Sequence, residues 1–338
     1  MVNLSIGAPV DPVPGTVQAA LAAAANSPGY PLTRGTPAVR EAAANWLSRR
    51  HGVSISPDTV LPVVGTKEFI AWLPTMLGLG PGDTVVYPEL AYPTYDAGIR
   101  LAGAAGLATD ATLALGPQRI KLAWLNSPSN PTGRVLPPEH LAKMVSWARE
   151  RSTLLASDEC YIEQGWEATP RSVLHPKVSG GSPDGLLAVH SLSKRSNMAG
   201  YRAGFVTGDP GVIADLHEIC RHAGLIVPGP IQAALVAALD DDQSADEQRE
   251  RYRARRAVLR PAVEAAGWVV EHSEAGLYLW AARPGADGWE SARILAEIGI
   301  LASPGELYGA AGGPFIRMAL TATDERIAAA AARLATLA

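Results

Sequence analysis

The chain has 338 residues, 47% of them hydrophobic and 18% charged, with a net charge of −4 at pH 7. This is the composition of a folded chain long enough for two domains, which excludes a disordered one, and it shows no basic excess suited to nucleic acid or an anionic membrane surface. Two cysteines, Cys160 and Cys220, are too few for a disulfide framework and point to a reducing compartment.

The opening stretch, MVNLSIGAPVDPVPG, has neither the basic start nor the apolar run of a secretory signal. Runs at 84–88, 121–128, 153–159, 186–192 and 202–209 read as buried strands, each apolar and each ending in polar or turn residues. Between them, 68–77, 91–103 and 137–151 have apolar spacing nearer three to four, and Pro137-Pro138-Glu139 suits a helix start. Strands alternating with helices predict an α/β fold with a mostly parallel sheet. The longest apolar region, 222–239, is broken by Pro228, Gly229, Pro230 and Gln232 and falls short of a membrane span. A cytoplasmic location is therefore expected. From 240 to 267 the pattern is a long charged helix with acids early and arginines later, which suits the helix dipole. Short strands, a helix near 289–298, PFIRMALT and a final alanine-rich helix follow, an α+β block that reads as a second domain.

In parallel sheets, ligands collect at the carboxyl ends of the strands. Here those ends carry SDECY, with Asp158 and Tyr161, then NSPSNPTG, with Asn130, and HSLSKRSNMAGYRAG, with Lys194. Upstream, Gly65-Thr66-Lys67 opens an apparent helix, whose backbone N–H groups form an anion site. Ser191 and Arg202 add a hydroxyl and a guanidinium suited to phosphate. A ligand with a phosphate, an aromatic nitrogen and an aldehyde meets all of these groups, and pyridoxal phosphate has them. A lysine forms a Schiff base with the aldehyde, and an aspartate holds the ring nitrogen protonated.

From about residue 3 to its end, the sequence resembles the class I/II, fold-type I pyridoxal-phosphate aminotransferases. The matching stretches are GYPLTRGTPAVREA, GTKE, YPELAYPTY, NSPSNPTG, SDECY, SLSKRSNMAGYRAG and FIRMALT. Within that family, LNSPSNPTGRVL, ELAYPTYDAG and ALTATDER resemble the actinobacterial N-succinyldiaminopimelate aminotransferases. The resemblance implies a large domain (30–238) with a mostly parallel seven-stranded sheet between helices. Residues 1–29 and 239–338 would form a smaller α+β domain. It implies Lys194 as Schiff-base lysine and proton shuttle, and Asp158 at the pyridine nitrogen. Asn130 and Tyr161 would contact the ring hydroxyl and Tyr92 the ring face. Thr66, Lys67 through its backbone, Ser191, Ser193 and Arg202 would hold the phosphate. Tyr30 would reach the partner subunit's phosphate, since family members build each site across a homodimer. Arg317 would clamp the substrate α-carboxylate with backbone help near Gly7, and Arg34 is a candidate for a distal acidic group. One departure is the start. Relatives carry some tens of further residues that pack on the partner subunit, whereas Met1 here falls almost at the Gly7 segment.

The implied reaction is ping-pong transamination, with N-succinyl-LL-2,6-diaminopimelate and 2-oxoglutarate as the expected pair in lysine and diaminopimelate biosynthesis. Transamination of aspartate, an aromatic amino acid or LL-diaminopimelate is an alternative. So is a lyase or decarboxylase on the same fold, since the cofactor motifs do not fix which bond breaks. A non-catalytic regulator would need an additional DNA-binding segment, for which there is neither length nor a basic patch. Ser191 and Lys194 also spell S-x-x-K, but the S-D-N and K-T-G partners of the serine acyl-transferases do not occur. HEICRH (217–222) spaces its histidines five apart, too far for the zinc motif H-E-x-x-H, and no metal is expected.

Overall fold

The structure, a computed structural model, describes residues 1–116 and 118–337. In chain order its first elements are β1 (Val2–Asn3), α1 (Gly15–Ala23), α2 (Pro37–His51), β2 (Val60–Val63), α3 (Thr66–Met76), β3 (Thr84–Tyr87), α4 (Thr94–Ala102) and β4 (Ala105–Ala108). Next come β5 (Ile120–Asn126), α5 (Pro138–Glu150), β6 (Leu154–Asp158), α6 (Pro176–Ser179), β7 (Leu186–Ser191), α7 (Leu192–Arg195) and β8 (Gly204–Gly208). The remainder holds α8 (Pro210–Ala223), α9 (Gly229–Asp240), α10 (Asp242–Ala265), β9 (Val269–Glu271), β10 (Tyr278–Ala282) and α11 (Gly288–Glu297). It closes with β11 (Ile300–Leu301), β12 (Ser303–Pro304), β13 (Phe315–Ala319) and α12 (Asp324–Leu334).

Seven strands form one sheet in the order β2-β8-β7-β6-β5-β3-β4. All run parallel except β8, which is antiparallel to both neighbours. The five expected strands are all present, and β2 and β4 complete the edges. Side chains alternate between two cores, as the period of two in a strand requires. Leu125, Leu155, Leu186 and Phe205 face α2, α5 and α9, through Trp46, Leu141 and Leu235. Leu122, Trp124, Leu187 and Val206 face α3, α4 and α8, through Phe69, Ile99 and Leu216. Both faces are thus covered by helices, the arrangement that parallel sheets need.

A four-stranded antiparallel sheet, β12-β13-β10-β9, and the two-stranded β1-β11 pair lie C-terminal to this in sequence, apart from β1. Val2, Leu4, Leu259, Trp268, Leu279, Ile316, Met318 and Ile327 share their core. Val17 of α1 instead packs in the first core of the large sheet. A small aromatic cluster of Tyr161, Tyr252, Leu277, Tyr278 and Ala319 joins the end of β6 to the second sheet.

The N-terminal segment is threaded between these parts. Val2 and Leu4 donate to the carbonyls of Gly299 and Leu301, and Ala319 donates back to Leu4. Further on, Arg255 grips Asp11 with two hydrogen bonds of 2.8 and 2.6 Å, and Asn197 donates to the Pro12 carbonyl. The Ser5 carbonyl accepts from Arg317 and Ser303 and the Ile6 carbonyl from Thr321, while the Gly7 carbonyl accepts from Lys194 just after β7. Among the described residues, no helix is long and apolar enough to cross a membrane.

Candidate active site

A cavity of about 650 Å³ opens at the carboxyl ends of β5, β6 and β7, which are adjacent in the sheet. Thr66, Lys67, Tyr92, Asn130, Asp158, Tyr161, Ser191, Ser193, Lys194, Arg202, Gly7 and Arg317 all line it. Two expected residues do not line the cavity of their own chain. Arg34 turns to Asp58, donating to its carbonyl at 3.0 Å and lying 3.6 Å from its carboxylate. Tyr30 is fully exposed.

Asp158 ends β6 and is 5% exposed. The Tyr95 hydroxyl donates to its Oδ2 at 2.8 Å, and the Cys160 N–H donates to its Oδ1 at 3.1 Å. Tyr95 is itself stacked on Trp124, at 5.0 Å between centroids. Burial pushes the Asp158 carboxyl up, and the bonds from Cys160 and Tyr95 pull it down. Among the described residues, no cationic side chain is hydrogen-bonded to this carboxylate. A buried carboxylate of this kind calls for a cation from a ligand.

Lys194 follows β7 in the short helix α7, whose first turn is capped by Ser191 Oγ accepting from Ser193 N–H at 3.2 Å. Its amine donates to the Gly7 carbonyl. Burial holds this amine below the usual lysine range. Arg317 and Arg202 push the same way, while Tyr278 and Cys160 oppose them.

Arg317, in β13, is 6% exposed. It donates to Asn130 Oδ1 and to the Ser5 carbonyl, both at 2.8 Å. Its Cζ lies 3.9 Å from the Tyr278 ring centroid and 4.6 Å from that of Tyr308. None of these partners is a carboxylate, and its Nε is buried without a partner. Asn130 is fixed in turn, because its N–H donates to Asn126 Oδ1 at 2.7 Å.

At the other end of the cavity α3 begins at Gly65, with no side chain capping it. Gly65 has φ +77°, and a Cβ there would lie 2.3 Å from Arg202 Nη2. Glycine is therefore what lets the guanidinium lie across the helix N-terminus. Arg202 itself takes the left-handed conformation (φ +55°) just before β8, and its Nη1 donates to the Ala199 carbonyl at 2.9 Å. Thr66 Oγ1 accepts from Cys160 Sγ at 3.3 Å.

This arrangement has known counterparts. The family model "Aminotransferase class I and II" matches residues 1–334. The chain belongs to this family. The aminotransferase is 60% identical to the 4-dedimethylamino-4-oxo-anhydrotetracycline transaminase of Streptomyces rimosus, over 99% of this chain and 93% of that one. It is 59% identical to a protein named "Probable aminotransferase" from Mycobacterium tuberculosis, over 99% of this chain and 80% of the other. Among solved structures, a "probable N-succinyldiaminopimelate aminotransferase" from Thermus thermophilus superposes with a TM-score of 0.91 at 29% identity, covering 100% of this chain and 95% of that one.

Aminotransferases of this class depend on pyridoxal phosphate, and the cavity's donor set fits it. The buried Asp158, without a cationic partner, suits a protonated ring nitrogen. The open helix start beside Arg202 suits a phosphate. A lysine held toward its neutral form suits an aldehyde.

Tyr95, Tyr278, Tyr308, Cys160 and Ser5 also line or support the cavity and carry no mark in the sequence pattern. Cys160 sits inside SDECY between two chosen residues, and Tyr278 lies on the strand paired with that of Arg317. Tyr95 reads as helix core, and only the packing of α4 on the sheet gives its hydroxyl a carboxylate.

Proposed function

We propose that the aminotransferase moves an amino group between N-succinyl-LL-2,6-diaminopimelate and 2-oxoglutarate, in diaminopimelate and lysine biosynthesis. The observation that carries the α-amino acid chemistry is Arg317. It is a buried guanidinium with no carboxylate partner among the described residues, lining the same cavity as Lys194. Bound pyridoxal phosphate supplies an electron-accepting ring conjugated to the carbon that takes the amino group. Lys194 Nζ, whose burial favours its neutral form, would take the substrate α-proton and pass it to the carbon that takes the amino group. Asp158, with Tyr95 and the Cys160 N–H holding its two oxygens, would face the ring nitrogen. Asn130 and Tyr161 face the ring hydroxyl and Tyr92 the ring. Thr66, the Lys67 backbone, Ser191, Ser193 and Arg202 take the phosphate. Arg317, helped by the backbone near Gly7, takes the α-carboxylate.

Two further proposals concern organisation. A large domain (30–238) carries the cofactor, and 1–29 with 239–338 form a small one, although Val17 of α1 packs in the core of the large sheet. Two chains pair in the cytoplasm, so that the exposed Tyr30 reaches the partner's phosphate.

The diaminopimelate substrate is supported by the name of the Thermus neighbour and by LL-diaminopimelate aminotransferases at 32–35% identity, for example that of Gloeobacter violaceus at 35%. A second reading, a bulky apolar carbonyl compound, is favoured by the cavity mouth. Ile6 and Leu307 line it while 63% and 54% exposed, and the Streptomyces relative is named for an oxo-anhydrotetracycline. One experiment separates these readings. The cofactor-loaded protein is given glutamate or the succinylated donor without any oxo acid, and its visible absorption is followed. Conversion to the pyridoxamine spectrum by both donors supports the diaminopimelate reading. Conversion by glutamate alone sinks it, and a polycyclic ketone that then restores the original spectrum establishes the second reading.

A further inference from the structure

Tyr278 has two faces with different partners. Its ring lies under the Arg317 guanidinium, and its hydroxyl is 3.0 Å from the hydroxyl of Tyr161, the rings meeting edge to face at 5.8 Å. Both residues are buried, Tyr278 4% and Tyr161 6% exposed, and both line the cavity. Gly7 closes in from the other side, where a Cβ would come within 2.2 Å of the Tyr278 hydroxyl. The Gly7 carbonyl accepts from Lys194. The phenol of Tyr278 thus stands beside the lysine, the carboxylate clamp and the Tyr161 phenol at once.

Two phenols share one hydrogen bond, so only one of them gives up its hydrogen to the pair. If Tyr161 donated to Tyr278, it would present a lone pair to the cavity and repel an oxyanion there. If Tyr278 donates, the Tyr161 hydrogen is free for the cavity, and its oxygen, already accepting, becomes a better donor. The Arg317 charge over the Tyr278 ring draws electron density from that phenol and favours it as the donor. We propose that Tyr278 is a positioning residue: its hydroxyl donates to Tyr161 Oη and so aims the Tyr161 hydrogen at the ring hydroxyl oxygen of the cofactor. This rests on the reading above that Tyr161 faces that oxygen.

The test is a pH titration of the visible band of the lysine-bound cofactor, without substrate. The wild type, Tyr161→Phe, Tyr278→Phe and the double variant are compared, each checked by circular dichroism. A donor to the ring oxygen favours the form in which the imine nitrogen has lost its proton, so losing that donor raises the band's midpoint. Tyr161→Phe is expected to raise it by about one pH unit. Tyr278→Phe, which keeps the ring under Arg317, is expected to raise it by roughly 0.3 to 0.5 unit. The double variant matches Tyr161→Phe alone. If Tyr161→Phe shifts the midpoint and Tyr278→Phe leaves or lowers it, the inference is overturned, as it is if the two shifts add. No shift in Tyr161→Phe sinks the ring-hydroxyl reading and takes this inference down with it.

Discussion

Arg317 and Asp158 are opposite charges in the same predicament. Each is buried, hydrogen-bonded and, among the described residues, without a counter-ion in its own chain. Burying an unpaired charge is costly, so each is best understood as one half of an ion pair completed by a ligand. Arg317→Leu is therefore expected to raise KM for 2-oxoglutarate by roughly 10- to 100-fold, the loss of a charge-assisted contact. Cofactor absorbance should be unchanged, and an equal loss of cofactor binding would contradict the assignment. Tyr95 acts on Asp158 at one remove, because its hydrogen bond favours the carboxylate form. In Tyr95→Phe, pyridoxal phosphate should bind roughly 3- to 10-fold more weakly, as read by fluorescence titration, while the α-carboxylate contact stays intact. Residues such as Lys194, Asp158 and Asn130 were legible because a polar group directly after an apolar strand has few structural reasons to be there. Tyr95 and Tyr278 were not legible, because an aromatic in an apolar pattern is ordinary core until tertiary contacts give its hydroxyl a partner.

At the level of elements, the central strands were readable and the edge strands were not. β5, β6 and β7 are covered on both faces, and their runs are continuously apolar. β2 carries Pro62 and β4 is the largely exposed run Ala105–Ala108, and both lie at sheet edges. An edge strand tolerates a proline and needs less apolar surface, so it leaves a weaker mark in sequence. The start of α3 shows the opposite case, in which a single glycine announces the geometry. Gly65→Ala adds a Cβ at a positive φ and places it against the Arg202 guanidinium. Both effects act on the helix N-terminus and leave the Asp158 end of the cavity alone. Affinity for pyridoxal phosphate should fall about 10-fold or more, while affinity for pyridoxal, which lacks the phosphate, should change little. Equal losses for the two ligands would show that the α3 start does not bind phosphate.

For the molecule as a whole, the threading of the N-terminal segment lay beyond the sequence, because main-chain bonds such as Ala319 to Leu4 join residues over 300 positions apart. A second whole-molecule property is set behind the site, where Glu159 and His190 are buried in the sheet. Glu159 accepts from the Val173 N–H at 2.7 Å, and its other oxygen lies 3.6 Å from His190 Nε2, with neither of those two atoms hydrogen-bonded. Burial pushes the Glu159 carboxyl up from an ordinary 4.5 to about 7, the Val173 N–H opposing. Between those two pH values the folded chain keeps a proton that the unfolded chain releases. Stability is therefore greatest below the lower value, declines as pH rises through the window, and levels off above the upper one. A shift of that size corresponds to about 3 kcal/mol. Glu159→Gln keeps an acceptor for Val173, gives His190 a donor, and does not titrate. Urea unfolding at pH 5 and pH 8, with saturating cofactor, should find the variant close to wild type at pH 5 and more stable at pH 8. A residual slope should remain in the variant, since burial also holds Glu68 up to about 7 against the pull of Arg202. Parallel pH profiles for the two proteins would mean that Glu159 is ionised in the folded chain.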